Sequence, residues 1–379
     1  MFKRILLLCG LVFLAACATE ADPYTVRVGW LGPLTGDMAV WGTSERDSVI
    51  MFFDQLNEQG GLLGYTVEVI PYDTRGDLVE VVNVTRRLGT MHNVIGIIGP
   101  NTSGQAIAMG PVLEEIETAG IATVATNPLV TVAADGTVNP FNFRVAFVDT
   151  YQGAVAAGYS FHHLNARNAA VLFDIGSDYS QGVSQFFIEH FESLGGNVVS
   201  HLGFNTGDVD FRPQLTAMGE QNPDIIFMPF TFHQVALATQ QARELGLTAT
   251  FVGTDTWPSA LLLEMAGDAL EGSYLVNHLD IHNPDVAWLL DMYVDRHNRE
   301  PEINAFLGWD ASQMLVEAVE RAGNFDTNAI RDELVRTNFV GVTGPIIIGE
   351  HTHNPEGKEA AILTVRDGEF VFVQNYSPF

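Results

Sequence analysis

Cysteine is almost absent from this sequence. Only Cys9 and Cys17 occur among its 379 residues, and both lie close to the amino terminus. The rest of the chain therefore has no thiol with which to form a disulfide, attack a substrate or bind a metal. This absence excludes a disulfide-stapled domain and a cysteine-dependent enzyme.

Lysine is equally scarce, and basic residues are outnumbered by acidic ones. The chain has 18 lysines and arginines against 46 aspartates and glutamates, which gives a net charge of −28. Lys358 is the only lysine besides Lys3. A chain this acidic repels the phosphates of nucleic acids and the headgroups of anionic membranes. We therefore expect no nucleic acid among its partners.

The apolar run near the amino terminus is too short to cross a bilayer. It extends from Ile5 to Ala16 and follows two basic residues, which is typical of a secretory signal peptide. Its end, Leu14-Ala15-Ala16-Cys17, resembles the bacterial lipobox, whose cysteine is lipidated. We predict a signal peptide at 1–16, lipidation of Cys17 and a tether at 17–23. The protein would then be exported to the periplasm or the cell surface and held at a membrane through its lipid anchor.

Motifs for catalysis and cofactor binding are also missing. The sequence has no G-x-S-x-G, H-E-x-x-H or P-loop. The glycines between Gly29 and Gly36 do not form a G-x-G-x-x-G fingerprint, and Pro33 lies in their turn. The histidine pairs at 162–163 and 351–353 have no third ligand at a suitable spacing. We expect no catalytic residue, no cofactor and no metal site.

The most informative stretch that is present extends from Val94 to Leu113. An apolar run, 94–98, predicts a buried strand, the turn-forming residues 99–104 follow, and 105–109 have helical composition. Ser103 lies near the start of this helix, where free backbone N–H groups and the helix dipole favour an anion such as a carboxylate. The alternative is that Ser103 only caps the helix.

Strand and helix patterns alternate in two series. The first has strands at 24–32, 65–72, 94–98 and 121–124, with helices at about 43–57, 79–88 and 111–118. The second begins near Asp149, with strands at 169–174, 198–202, 224–229 and 250–253 and helices at 181–194, 211–219 and 234–245. Helices at 287–298 and 310–322, a strand at 346–348 and a hairpin of 362–365 with 370–373 follow. This alternation predicts an α/β protein of two lobes, each a mostly parallel sheet flanked by helices.

Several segments resemble the periplasmic solute-binding proteins of branched-chain amino-acid ABC transporters, the leucine/isoleucine/valine-binding family with the type I fold. The matching segments are VRVGWLGPLTGDMAVWG (26–42), QLNEQGGLLGYTVEVIPYD (55–73), IIGPNTSG (97–104), ATNPLVT (125–131), DYSQG (178–182), NPDIIFM (222–228), QQARELGL (240–247), FVGTD (251–255), MAGDALEGSYLV (265–276) and FVGVTGPIII (339–348). They cover nearly the whole chain after the signal peptide.

The resemblance implies two lobes joined by three hinge crossovers. It places the first lobe at 24–145 plus 279–352 and the second at 146–278 plus 353–379. It implies a monomer that captures an amino acid, branched-chain or similar, in the cleft and delivers it to ABC permease subunits in the membrane. The alternative is a receptor that senses amino acids or amides and has no transport role.

The resemblance also implies contacts with the ligand's charged groups. Ser103 corresponds to the serine that binds the ligand's carboxylate. Thr126 corresponds to a threonine that serves both carboxylate and amine, but its loop is about three residues shorter, so the contact could shift to Ala125 or Asn127. Asp255 stands where the family has an acidic partner for the ammonium group, a glutamate in the best-known members. Its alternative role is to cap the helix after Trp257.

Three aromatic residues complete the site that the resemblance implies. Trp41 lies where the family places an aromatic side chain over the ligand, in a segment predicted to be a loop. Tyr179 and Phe232 match aromatic positions of the second lobe. Phe232 lacks the hydroxyl of the tyrosine that the best-known members have, and it follows an apolar run that would also suit a core residue.

Overall fold

The computed structural model describes residues 24–378, so the predicted signal peptide at 1–16, the tether at 17–23 and Cys17 lie outside the described residues. The chain opens with a strand–helix series: β1 (Thr25–Gly32), α1 (Ala39–Glu58), β2 (Thr66–Asp73), α2 (Leu78–Thr90), β3 (Ile97–Ile98), α3 (Ser103–Glu115), β4 (Gly120–Ala122) and β5 (Asn142–Arg144). The five strands form a parallel sheet in the order β2-β1-β3-β4-β5. We call this sheet and its helices the first lobe.

A second strand–helix series builds the second lobe. Its elements are α4 (Asp149–His162), β6 (Asn168–Asp174), α5 (Asp178–Ser193), β7 (Asn197–Phe204), α6 (Arg212–Gly219), β8 (Ile225–Phe227), α7 (Phe232–Glu244), β9 (Thr250–Gly253), α8 (Ala260–Ala266) and β10 (Tyr274–Asn277). These five strands pair in parallel. Because the apolar residues of β8 face helices on both sides of the sheet, Ile225, Ile226 and Phe227 are all fully buried.

The last part of the chain returns to the first lobe and then crosses back. It forms α9 (Ala287–His297), α10 (Ile303–Ala322), α11 (Thr327–Leu334), β11 (Asn338–Gly341), β12 (Gly344–Ile348), β13 (Pro355–Glu356), β14 (Ala360–Arg366) and β15 (Glu369–Tyr376). Helix α10 packs on α1, where Ser48 Oγ donates to the carbonyl oxygen of Ala305 at 2.7 Å. Strands β14 and β15 join the second lobe's sheet, whose order is β15-β14-β10-β9-β8-β6-β7.

The chain therefore passes between the lobes three times. The crossings follow β5, β10 and β13, since β13 pairs with β12 and β14 pairs with β10. The lobe boundaries predicted at 145/146, 278/279 and 352/353 stay predictions, and the first two lie just beyond the ends of β5 and β10. Strand β13 still pairs on the first lobe's side at Pro355–Glu356, just after the predicted boundary at 352/353.

Two helices extend further than the sequence pattern indicates. Helix α1 begins at Ala39, so Trp41 lies inside it. The first turn can pack this closely on the preceding loop because Gly42 has no side chain. A Cβ at this position would lie 1.8 Å from the carbonyl oxygen of Pro33. Pro111 does not start a separate helix but lies within α3. Met109 and Leu113, on either side of Pro111, are buried in the first lobe's core, and this packing offsets the hydrogen bond that proline cannot make.

Among residues 24–378, the helices are all too short or too polar to cross a membrane.

Candidate ligand site

A cavity of about 330 Å³ lies between the two lobes. Its walls are loops and helix ends that follow the carboxyl ends of parallel strands, where open parallel sheets generally bind ligands. The first lobe contributes residues that follow β1, β2, β3 and β4, and the second lobe contributes residues that follow β6, β7, β8 and β9. The volume is near the lower end for small-molecule sites, so the cavity suits a ligand of amino-acid size.

The first lobe's wall presents hydrogen-bond donors around the start of α3. Ser103 is the first residue of this helix and lines the cavity. Its Oγ accepts the backbone N–H of Asn127 at 3.2 Å, which leaves the hydroxyl hydrogen to be donated elsewhere. The residue before it, Thr102, makes no side-chain cap, so N–H groups of the first helical turn remain open to a ligand. This arrangement suits a carboxylate.

Asn101 also lines this wall, just ahead of α3. The residue is only 5% exposed, yet neither its Nδ2 nor its Oδ1 has a hydrogen-bond partner within the described chain. Buried amides are normally paired, so this side chain is an exception to be explained.

The buried carboxyl group of Glu45 links three parts of the first lobe by hydrogen bonds. Glu45 of α1 accepts hydrogen bonds from Trp30 Nε1 at 3.1 Å and Thr123 Oγ1 at 2.7 Å. Burial raises the pKa of Glu45 to about 8, so the group is mostly protonated at neutral pH. It contributes hydrogen bonds rather than charge to the first lobe.

The second lobe's wall is built around Asp255, in the loop after β9. Its Oδ1 accepts from Gln152 Nε2 and from the Tyr179 hydroxyl, each at 2.8 Å, and its Oδ2 accepts from His278 Nε2 at 3.0 Å. Burial lowers the pKa of His278, so its ring is neutral at pH 7. Burial, and then the charge of Asp255, raise the pKa of Tyr179 well above its usual value. Three neutral donors therefore orient the carboxylate without neutralising it.

This network extends to the hinge. The ring of His278, at the end of β10, stacks on Phe147 at the first crossing, with ring centroids 3.9 Å apart. Nearby, Asp149 is fully buried at the start of α4, and its N–H donates to the carbonyl oxygen of Thr126 at 2.9 Å. Burial raises the pKa of Asp149 to about 8. The Asp255 wall is thus anchored to two of the three crossings.

The two lobes touch across the cavity. The rings of Trp41 and Phe232 pack edge to face at 5.4 Å between centroids, and Asn127 Nδ2 donates to the carbonyl oxygen of Asp178 at 2.8 Å. Because both contacts join opposite lobes, the structure represents a closed arrangement of the cleft.

The structure brings together most of the residues singled out in the sequence. Trp41, Ser103, Tyr179 and Asp255 line the cavity, whereas Phe232 is fully buried behind Trp41. The alternative role of Asp255 as a helix cap is wrong, because Ser259 caps α8 by accepting the N–H of Leu261. Ser103 also does more than cap helix α3, because its Oγ accepts a hydrogen bond from the backbone N–H of Asn127 in a different loop.

Ala125 and Thr126 are buried beside the cavity rather than in its lining. The carbonyl oxygens of Ala125 and Asn127 accept from the fully buried guanidinium of Arg144, at 2.9 and 2.7 Å. A carbonyl oxygen can accept a second hydrogen bond. The ligand contacts predicted for this loop, like those of the other site residues, stay predictions.

Sequence reasoning missed Asn101, Gln152 and His278. Asn101 could have been found as the polar residue that leads into Ser103 at a strand end. Gln152 lies inside α4, whose small residues gave no clear helical pattern, and His278 stands at the predicted second boundary without any motif around it. Their roles depend on distant parts of the chain that meet only in the fold.

Two lobes linked by three crossings, with a cavity between them, are the architecture of a two-lobed solute-binding protein. The chain belongs to the periplasmic binding protein family, whose model matches residues 25–369. The predicted family and the two-lobed type I fold are thereby confirmed.

The proteins to which this chain is similar bind different ligands. The leucine-, isoleucine-, valine-, threonine- and alanine-binding protein of Pseudomonas aeruginosa is 24% identical over 343 residues, which are 90% of each chain. The leucine binding protein LivK of Thermotoga maritima is 32% identical with a TM-score of 0.86, over 93% of this chain and 99% of its own. A solute binding protein of R. palustris in complex with benzoate is 21% identical, a likeness of fold alone, with a TM-score of 0.81 over 93% and 97%.

Proposed function

We propose that this protein is the extracytoplasmic substrate-binding component of an ABC transporter and that it captures an amino acid, branched-chain or similar, for delivery to the permease. The observation that carries the proposal is the placement of Ser103 and Asp255 on opposite walls of one cavity. An open helix start faces a carboxylate that lacks a cationic partner among its hydrogen-bonded neighbours. A zwitterionic amino acid complements both walls at once.

The two charged ends of the ligand would be divided between the lobes. The ligand's carboxylate accepts from Ser103 and from the first N–H groups of α3, and its ammonium group lies against Asp255. Each such charge-assisted hydrogen bond contributes about 1.5–3 kcal/mol. Trp41 and Tyr179 offer aromatic surface to the ligand's side chain.

Binding of this kind drives closure of the cleft. A ligand that touches both lobes stabilises the closed form relative to the open one, because the open form offers it only one wall at a time. The three crossings supply the hinge. Capture and release then need no chemical step, and the protein acts as a receptor rather than an enzyme, with no cofactor.

Delivery to a permease requires that the protein stay near the membrane. We propose export through the segment at 1–16, attachment through a lipid on Cys17, and a monomeric receptor that meets the permease subunits in the periplasm or at the cell surface. A Cys17→Ser variant should move to the soluble fraction, whereas unchanged membrane association would contradict the anchor.

A thermal-shift screen tests the binding function. We expect amino acids to raise the melting temperature, and their des-amino acids, benzoate and simple amines to have much smaller effects at equal concentration. Stabilisation by benzoate or by des-amino acids alone would contradict the proposal. Loss of cellular uptake of the stabilising amino acid after deletion of the gene would distinguish transport from sensing.

A further inference from the structure

The unpaired amide of Asn101 bears on which side chain the ligand has. Asn101 lines the cavity, is nine-tenths buried, and has neither its amide donor nor its amide acceptor paired within the described chain. Gln105, in the same wall, differs: its Nε2 donates to Thr74 Oγ1 at 3.2 Å, and its Oε1 accepts from the same hydroxyl at 3.3 Å. Of these two amides, only Asn101 is left for a ligand to satisfy.

An aliphatic ligand side chain fits this wall poorly. The Nδ2 and Oδ1 of Asn101 are already shielded from water in this closed cleft, so a hydrocarbon side chain on the ligand would leave the amide unpaired. A ligand group that both donates and accepts hydrogen bonds would satisfy both atoms. The wall therefore selects against leucine, isoleucine and valine in favour of a polar side chain of similar size.

The charges around the cavity narrow the choice. The lining includes the carboxylates of Asp37, Asp174, Asp178 and Asp255, and the described lining residues include no lysine, arginine or histidine. A second carboxylate on the ligand would meet only like charge. A guanidinium group has donors alone and would leave the Nδ2 of Asn101 unpaired. A carboxamide is neutral and offers both a donor and an acceptor.

Chain geometry limits the length of the ligand. Asn101 and Ser103 are two residues apart, so their Cα atoms are separated by at most about 7 Å. A ligand whose carboxylate lies at Ser103 must reach Asn101 with a short side chain. From these observations we propose that the ligand is an amino acid with a short carboxamide side chain, of the asparagine or glutamine type, and that Asn101 determines this specificity. This inference rests on the proposed amino-acid-binding function and narrows its ligand from branched-chain or similar amino acids to those with a carboxamide side chain.

Calorimetric titration of the purified protein with glutamine, asparagine, leucine and glutamate tests the inference. We expect the better of the two carboxamides to bind at least about ten-fold more tightly than leucine, equivalent to about 1.4 kcal/mol. The Asn101→Leu variant should reduce this ratio by about ten-fold or more. The matched control Gln185→Met, on the exposed face of α5 outside the cavity lining, should leave the ratio unchanged.

The wild-type ratio is decisive even if Asn101→Leu does not fold. Equal affinities, or a preference for leucine or glutamate, would overturn the specificity inference while leaving the amino-acid-binding function intact. An unchanged ratio in a folded Asn101→Leu variant would also overturn the role of Asn101. Failure of all four amino acids to bind would refute the proposed function together with this inference.

Discussion

The two walls of the cleft differ in how their polar groups are satisfied. On the first lobe, the Asn101 amide is unpaired, and Ser103 and the start of α3 keep donors open. On the second lobe, the Asp255 carboxylate already receives three hydrogen bonds from Gln152, Tyr179 and His278. The first wall therefore has hydrogen-bonding groups that a ligand can still satisfy, whereas the second wall holds the Asp255 carboxylate in a fixed position.

This difference indicates that the two walls recognise different properties of the ligand. The unpaired donors and acceptors of the first wall bind most tightly a ligand whose hydrogen-bonding groups are complementary to them in position and direction. The second wall reorganises little, since its carboxylate is held by neutral partners and by the stacking of His278 on Phe147 near the hinge. Its contribution is electrostatic, and it would favour any ammonium group in the right place.

The largest expected effect comes from removing the charge of the second wall. Asp255→Asn keeps the shape of the side chain but takes away the partner of the ligand's ammonium group. Truncating a buried charged pair costs about 2–5 kcal/mol, so calorimetry should show at least a ten-fold loss of amino-acid affinity.

The matched ligand for this variant is a des-amino acid, which has no ammonium group to lose. It should bind the wild type and Asp255→Asn with similar affinity. An equal loss for both ligands would mean that Asp255 only maintains the wall.

A somewhat smaller effect is expected from Glu45, the buried carboxyl group of the first lobe. Its pKa of about 8 in the fold exceeds the ordinary value of 4.5, so its protonated form stabilises the fold fully below about pH 4.5. This contribution is lost as the pH rises to about 8. Glu45→Gln keeps a neutral group there and should raise the free energy of unfolding at pH 7 by up to about 3 kcal/mol.

Urea unfolding at pH 5 and at pH 8 measures this difference. The gain of Glu45→Gln over the wild type should be small at pH 5 and large at pH 8. The exposed Glu320→Gln is the control, which removes one carboxylate from the surface. A gain that is the same at both pH values would show that the charge of Glu45 does not limit stability.

The smallest effect is expected from one donor of the second wall. Tyr179→Phe removes the hydroxyl that donates to Asp255 at 2.8 Å and keeps the ring. Gln152 and His278 still hold the carboxylate after this change, so the affinity for the ligand should fall by no more than about ten-fold. Tyr72→Phe, whose hydroxyl contacts His92 outside the cavity lining, should leave binding unchanged. A loss as large as that of Asp255→Asn would contradict the view that Gln152 and His278 hold the carboxylate.

The sequence predicts much of this architecture because strand and helix periodicities are local. The alternation of the two series, the strand at Thr250–Gly253 and the position of Ser103 at a helix start all follow from neighbouring residues. Helix α4 was missed because its glycines and alanines are buried between other elements, so it lacks a polar face.

The site itself is less predictable because its pairings are distant in sequence. Gln152 and Asp255 are 103 residues apart, and nothing near either residue indicates the other. The same holds for the unpaired state of Asn101, which depends on every side chain packed around it. Residue types at strand ends indicate where a site lies, but only the assembled walls indicate which groups are free.

The most direct test of the divided recognition is a calorimetric comparison of Ser103→Ala and Asp255→Asn with three ligands: an amino acid, its des-amino acid and the amine that lacks the carboxylate. We predict that Ser103→Ala weakens binding of the two acids, by about 1.5–3 kcal/mol, and spares the amine. Asp255→Asn should weaken binding of the amino acid and the amine and spare the des-amino acid. If both variants weakened all three ligands equally, the carboxylate and the ammonium group would not be divided between the lobes.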